Sequence, residues 1–150
     1  MNRRGGPWFV VQFLSFVALL GAPMVRRRRP ALVVRVLGLG LLGAGAAVAV
    51  AGYRDLGESH SPRTTPNEER CGLVMTGIYG HVRHPIYAGW CLGSLGFEAV
   101  TGSRLGISVA AALIVFFDLK AREEDRHLAD RYHDAATYRA HVKRFVPGVY

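Results

Sequence analysis

Residues 77–90 carry Gly77, Tyr79, His81, Val82, Arg83, His84, Pro85, Tyr87, Gly89 and Trp90 in close succession. The run sets one permanent cation, two imidazoles and two phenols beside a proline that fits the first turn of a helix. A helix start is electropositive, and Arg83 and His84 fall just ahead of it, so this corner can hold an anion such as a carboxylate. A second group follows later in the chain: Glu123, Glu124 and Asp125, then Tyr132, Tyr138 and Arg144. Each group also has a plainer reading. The first could be an interfacial belt of aromatics and Arg at headgroup depth. The acids could form local ion pairs with Arg122 and Arg126 on a solvated face. As metal ligands His81, His127, His133 and His141 lack a defensible spacing, and Cys71 and Cys91 stand alone, so neither a metal nor a disulfide framework is expected.

The elements that must position these residues are apolar. Half of the 150 residues are hydrophobic and a fifth are charged, a balance that leaves little polar surface for a soluble domain. The apolar residues are clumped in four runs, about 8–25, 31–53, 86–101 and 105–119. A span takes about 20 residues, so the first two fit and the shorter pair needs its flanks. Arg35, Glu98 and Asp118 sit near the ends of their runs, where they can reach headgroups. The first run also has the look of a signal peptide, but Gly21, Ala22 and Pro23 make a poor cleavage site and the run is long. Residues 54–70, with Pro62 and Pro66, read as a solvated loop.

Beyond the last run, Leu128, Tyr132, Ala135 and Tyr138 recur every three or four residues until Pro147 and Gly148, which predicts an amphipathic helix over about 120–142. The expected fold is therefore an all-α integral membrane protein of one domain, with about four transmembrane helices and a cytoplasmic C-terminal amphipathic helix. More of the Lys and Arg near span ends lie on the side of the termini, which places both termini in the cytoplasm; the Arg run at 26–29 argues the other way. The net charge of +8 clusters beside apolar runs rather than along a soluble face, so anionic lipid is the expected partner and nucleic acid is not.

Gly77, Tyr79, Arg83, His84, Pro85, Tyr87, Gly89 and Trp90 together resemble the signature of isoprenylcysteine carboxyl methyltransferases and their bacterial relatives. Leu73, Val74 and Thr76 resemble its lead-in. The family's C-terminal pattern is matched by Glu123 and Glu124, Tyr132, Tyr138, Val142, Arg144 and Pro147. Counted back from Tyr138, the usual spacing lands the acidic pair on Glu124 and Asp125 instead, and an expected Tyr falls on Ala135. Glu124 belongs to both alignments.

The resemblance implies methyl transfer from S-adenosylmethionine to a lipophilic small-molecule or lipidated acceptor. The Lys and Arg balance puts this at the cytoplasmic face, and an excess of Arg over Lys, 17 to 2, points to a GC-rich bacterial genome and so to a bacterial cell membrane. The resemblance also implies a cofactor site over Tyr79, His81, Val82, Arg83, His84, Pro85, Tyr87, Gly89, Glu123, Glu124 and Tyr132. Within it Arg83 and His84 suit the cofactor's carboxylate, Glu124 its ammonium or ribose, and Tyr79, Tyr87 and Tyr132 the adenine. Arg83, Glu124 and Arg144 are the candidate catalytic residues, with Arg144 orienting an acceptor carboxylate. Such an acceptor needs no general base; an amine would need one, and Glu124 or His84 could serve. Two alternatives stay open: an NADPH-dependent membrane sterol or enone reductase, whose Arg-His/Asn-Pro-x-Tyr-x-Gly string is similar, and a non-catalytic membrane protein of the same fold.

Overall fold

The computed structural model describes residues 6–25, 28–57 and 73–150. Most of the 54–70 loop with Pro62 and Pro66, Cys71, and Arg26 and Arg27 of the basic run lie outside the described residues. In chain order the elements are α1 (Gly6–Val25), α2 (Leu32–Leu56), a 3-10 turn (Gly77–Gly80), α3 (Pro85–Thr101), α4 (Arg104–Arg131) and α5 (Ala135–His141). The described residues contain no strand. Two helices, α1 and α2, are long and apolar enough to cross a membrane. Their outward faces carry Phe9, Phe13, Leu20, Leu32, Val33 and Leu37, all more than half exposed. So much apolar surface left uncovered suits hydrocarbon and not water.

The helices pair as α2 with α3 and α1 with α4, and α3 and α4 also touch. The α2–α3 contact is made backbone to backbone. Gly38, Gly45 and Gly52 recur along the buried side of α2. A Cβ built on Gly45 would lie 2.5 Å from the Gly93 nitrogen and 2.6 Å from the Gly89 oxygen. One on Gly89 would lie 2.6 Å from the Ala49 nitrogen, and one on Gly96 2.5 Å from the Leu42 nitrogen. Glycine weakens a helix in water by about 1 kcal/mol. In lipid the loss is offset, because small residues admit the close approach from which membrane helices draw their packing energy.

Pro85, at the first position of α3, needs no N–H partner there. Gly102 ends α3 in the left-handed region, φ 71°, and its N–H donates to the Glu98 carbonyl. Ser103 then caps α4, its hydroxyl accepting from the Gly106 N–H at 3.0 Å. This short turn folds α4 back along α3. The 28 residues of α4 extend about 42 Å, well beyond a hydrocarbon core of about 30 Å. Its inward stripe, Gly106, Ala110, Leu113 and Phe117, is apolar and gives way to the buried Lys120, Ala121 and Asp125 toward the charged end.

The C-terminal helix expected over 120–142 is not continuous. Residues 120–131 prolong α4, Tyr132 is extended (φ −114°, ψ 124°), and α5 is a separate helix. The break is set by packing and not by a proline or glycine. It turns Ala135 and Tyr138 inward, 1% and 8% exposed, so that the Tyr138 hydroxyl donates to the Tyr79 carbonyl at 2.6 Å. A straight helix would carry both away from the 3-10 turn.

Candidate functional site

The site forms where the 3-10 turn, the start of α3, the charged end of α4 and the segment after α5 meet. Val82 pairs in parallel with Lys143, the Arg83 N–H donates to the Lys143 carbonyl at 2.9 Å, and the His84 N–H donates to the Arg144 carbonyl at 3.0 Å. This backbone pairing joins the two sequence motifs directly. Arg83 fastens it further: Nη1 donates to the carbonyls of Arg139 and Val142 at the end of α5, at 3.0 and 2.5 Å.

Asp125, 2% exposed, is the centre. Its Oδ2 accepts from Arg83 Nη2 at 3.0 Å and from Arg144 Nε at 3.3 Å, and its Oδ1 lies 3.0 Å from His84 Nε2. Burial opposes the charge, but the hydrogen bond and charge of His84, with those of Arg83, hold the carboxyl well below the usual carboxylate range. An ionised carboxylate only accepts, so His84 Nε2 carries a proton.

The other face of His84 turns to Glu124, with Nδ1 3.7 Å from Oε2. That same oxygen accepts from the Tyr87 hydroxyl at 3.0 Å. The Glu124 side chain is 24% exposed. Burial raises its carboxyl more than His84, the Tyr87 hydroxyl and Lys120 lower it, so it lies above the ordinary value. Aromatic rings wall this carboxylate: His84 stacks on Tyr87 at 5.5 Å, Tyr87 stacks on Phe117 at 4.9 Å, and Phe145 tilts toward His84 at 6.1 Å. Burial pushes the Tyr138 phenol up to about 12, with Arg83 opposing and Asp125 adding to the rise, and burial raises Tyr79 further. Both phenols are therefore neutral donors at ordinary pH.

Arg83, His84, Tyr87, Glu124 and Arg144 are thus gathered, and Asp125 joins them as Glu124's partner in the acidic pair. Glu123 faces outward, where Arg126 and His127 lie 3.3 and 3.7 Å from its carboxylate. His81 is exposed and closes the 3-10 turn through its N–H. Val82 and Pro85 are buried supports of the corner, and Gly89 packs against α2. Tyr132 stands past the end of α4, with the Arg131 guanidinium 5.9 Å from its ring centroid. Sequence reasoning missed Phe117, Lys120 and Phe145. It also missed Asp118, which accepts from Arg144 Nη1 at 2.9 Å and from the Tyr150 hydroxyl at 2.9 Å. The i, i+4 spacing of Lys120 and Glu124 was a usable signal for one of them. A cavity lined by Val25, Arg28, Gly102, Arg104 and Leu105 lies at the opposite end of the helices, away from this chemistry.

Two apolar helices of membrane-crossing length, packed beside a helix pair that carries a paired-acid, aromatic-walled site at one end, make a helical protein suited to a membrane, with a polar site at its margin. The model of the phospholipid methyltransferase family matches residues 33–135, and the chain belongs to that family. It falls in the same group of membrane methyltransferases as the isoprenylcysteine carboxyl methyltransferases. The chain is also similar to the cobalt-zinc-cadmium resistance protein CzcN of Cupriavidus metallidurans, 37% identical over 76 residues, which are 50% of this chain and 35% of that protein. The chain thus spans about a third of the length of that relative.

Proposed function

We propose that the protein transfers the methyl group of S-adenosylmethionine to a lipophilic acceptor, with a carboxylate oxygen accepting it as in isoprenylcysteine-type O-methylation. The observation that carries this reading is Glu124, a partly buried carboxylate among stacked aromatic rings, in a chain of a methyltransferase family. The residues fit the cofactor. A carboxylate among π faces suits its ammonium and sulfonium centres, and Arg83 Nε is buried with no acceptor, a donor left over for a carboxylate. The remaining Arg83 nitrogens fasten α5 and Asp125, so that guanidinium both builds the corner and offers one N–H to a ligand. Arg144, 16% exposed, is the cation nearest the rim for an acceptor carboxylate.

When bound, the cofactor supplies a methyl group on a positively charged sulfur. The protein's part is alignment, because in-line displacement gains most from holding nucleophile and methyl at the right approach. A carboxylate acceptor brings a charge that cancels as the bond forms, and a low-dielectric wall such as Phe117, Tyr87 and Phe145 favours that cancellation. No residue has to remove a proton. In this reading α3 and residues 105–119 of α4 cross the bilayer beside α1 and α2, and the site caps the bundle at the cytoplasmic face of a bacterial cell membrane.

Calorimetry in detergent tests the reading. The purified protein is expected to bind S-adenosylmethionine and its demethylated product, and not NADPH. Membranes given methyl-labelled cofactor should pass label into the lipid extract. Saturable NADPH binding with no adenosylmethionine heat would assign the site to a reductase, and silence with both would make the protein non-catalytic. Glu124→Ala should weaken adenosylmethionine binding about tenfold or more, as for a lost charge-assisted contact of about 1.5–3 kcal/mol, while the protein stays folded. Unchanged affinity in that variant removes Glu124 from the cofactor site.

A further inference from the structure

The family match begins at residue 33, so α1 lies outside it, yet α1 sends side chains toward the site. Phe16 meets Trp90 at 4.8 Å and Phe117 at 6.4 Å. Gln12 goes further in: its Oε1 accepts from Lys120 Nζ at 2.7 Å. Lys120 is 1% exposed and stands one turn before Glu124 on α4. Its ammonium lies 5.2 Å from the centroid of the Tyr87 ring, and the hydroxyl of that ring donates to Glu124.

A buried ammonium is costly unless its surroundings compensate it. Here the compensation includes an amide oxygen on α1, a π face on α3 and a carboxylate one turn away on its own helix. We propose that Lys120 is a positioning residue of the site, its ammonium steered by Gln12 of α1 and holding Glu124 in the charged form that receives the cofactor's positive centres. The role given to Glu124 rests on the methyltransferase reading; the electrostatic link from α1 to Glu124 does not.

The groups around Glu124 are His84 and Tyr87 at the start of α3, Tyr79 in the 3-10 turn, and Lys120 and Asp125 on its own helix. Burial and Asp125 work against its charge, while His84, the Tyr87 hydroxyl and Lys120 support it. His84 is also held by Asp125. Lys120 is the supporting group whose placement depends on α1.

Titrating the Glu124 carboxyl by carbon-13 NMR in detergent, with the resonance assigned by its loss in Glu124→Gln, reads the link without any cofactor. Lys120→Met should move the midpoint up by about one pH unit, as expected for loss of one nearby opposite charge, and Lys120→Arg should restore it. Gln12→Leu, which leaves the lysine in place, should move the midpoint the same way by less, and should add nothing in the Lys120→Met background. A midpoint that ignores both substitutions overturns the proposal. Adenosylmethionine affinity provides the second readout: Lys120→Met should lose more affinity at pH 6 than at pH 8. Equal loss at both pH values means a packing role alone and also overturns the proposal. Should the parent bind no adenosylmethionine while the Glu124 midpoint still follows Lys120 and Gln12, the methyltransferase reading fails and the link from α1 stands.

Discussion

Asp125 meets Arg83, His84 and Arg144 within 3.3 Å, and neutralising it strands those groups in a nearly closed space. Removing one partner of a buried pair costs about 3–5 kcal/mol. Asp125→Asn should accordingly lower the thermal midpoint in detergent by several degrees; an unchanged midpoint would show that the network adds nothing to the fold. The pH dependence has a definite sign. The folded carboxyl is held below its unfolded value, so its contribution is complete above an unfolded value of about 4 and is lost as pH falls through the folded one. Below about pH 4 the parent should therefore lose stability more steeply than Asp125→Asn. Which side chains gather here was partly legible in the sequence: Arg83, His84, Tyr87, Glu124 and Arg144 lie together, whereas His81 and Glu123 do not join them. The choice between Glu123 and Asp125 was not, because three adjacent acids look alike until a helix assigns their faces. The stripe Phe117, Ala121 and Asp125 makes that assignment, and it becomes visible once α4 is known to run on through the acids.

At the scale of elements, the four apolar runs each coincide with a helix, the second but for its first residue, the cap Ala31, since length and hydropathy report helices directly. How the helices pair was not read from the sequence, because hydropathy does not single out glycine; the seven-residue recurrence of Gly38, Gly45 and Gly52 was the signal present for it. Their effect is testable by size alone. Even one methyl at Gly45 would press on the Gly93 and Gly89 backbones, which cannot give as a flexible side chain can. Gly45→Ala should cost about 1–3 kcal/mol of stability, as overpacking does. Gly43→Ala on the same helix, where nothing lies within 4 Å, should be neutral or stabilising by up to about 1 kcal/mol. Equal midpoints for the two variants would mean that glycine does not set the α2–α3 contact. The tail misled the sequence reading for a physical reason: its three-to-four spacing was real, but the contacts of Tyr138 with the 3-10 turn outweigh the gain from a continuous helix.

For the whole molecule, the site end of the bundle and the termini share one side if all four apolar runs cross. The balance of Lys and Arg then predicts that this side is cytoplasmic. A reporter fused after Tyr150 should be active only inside; activity restricted to the outside would invert the molecule and put the site on the external face. The pairing of residues 82–84 with 143–144 bears on a different matter, the order of events during synthesis. Arg83 is made long before Val142, which follows it by 59 residues. If α3 crosses as proposed, it can enter the bilayer during that interval, while Arg83 and His84 at its start wait for partners still to be translated. On that reading insertion and assembly of the candidate site are separate steps in time, and a chain halted between them would hold its apolar helices without the backbone pairing that joins the two motifs.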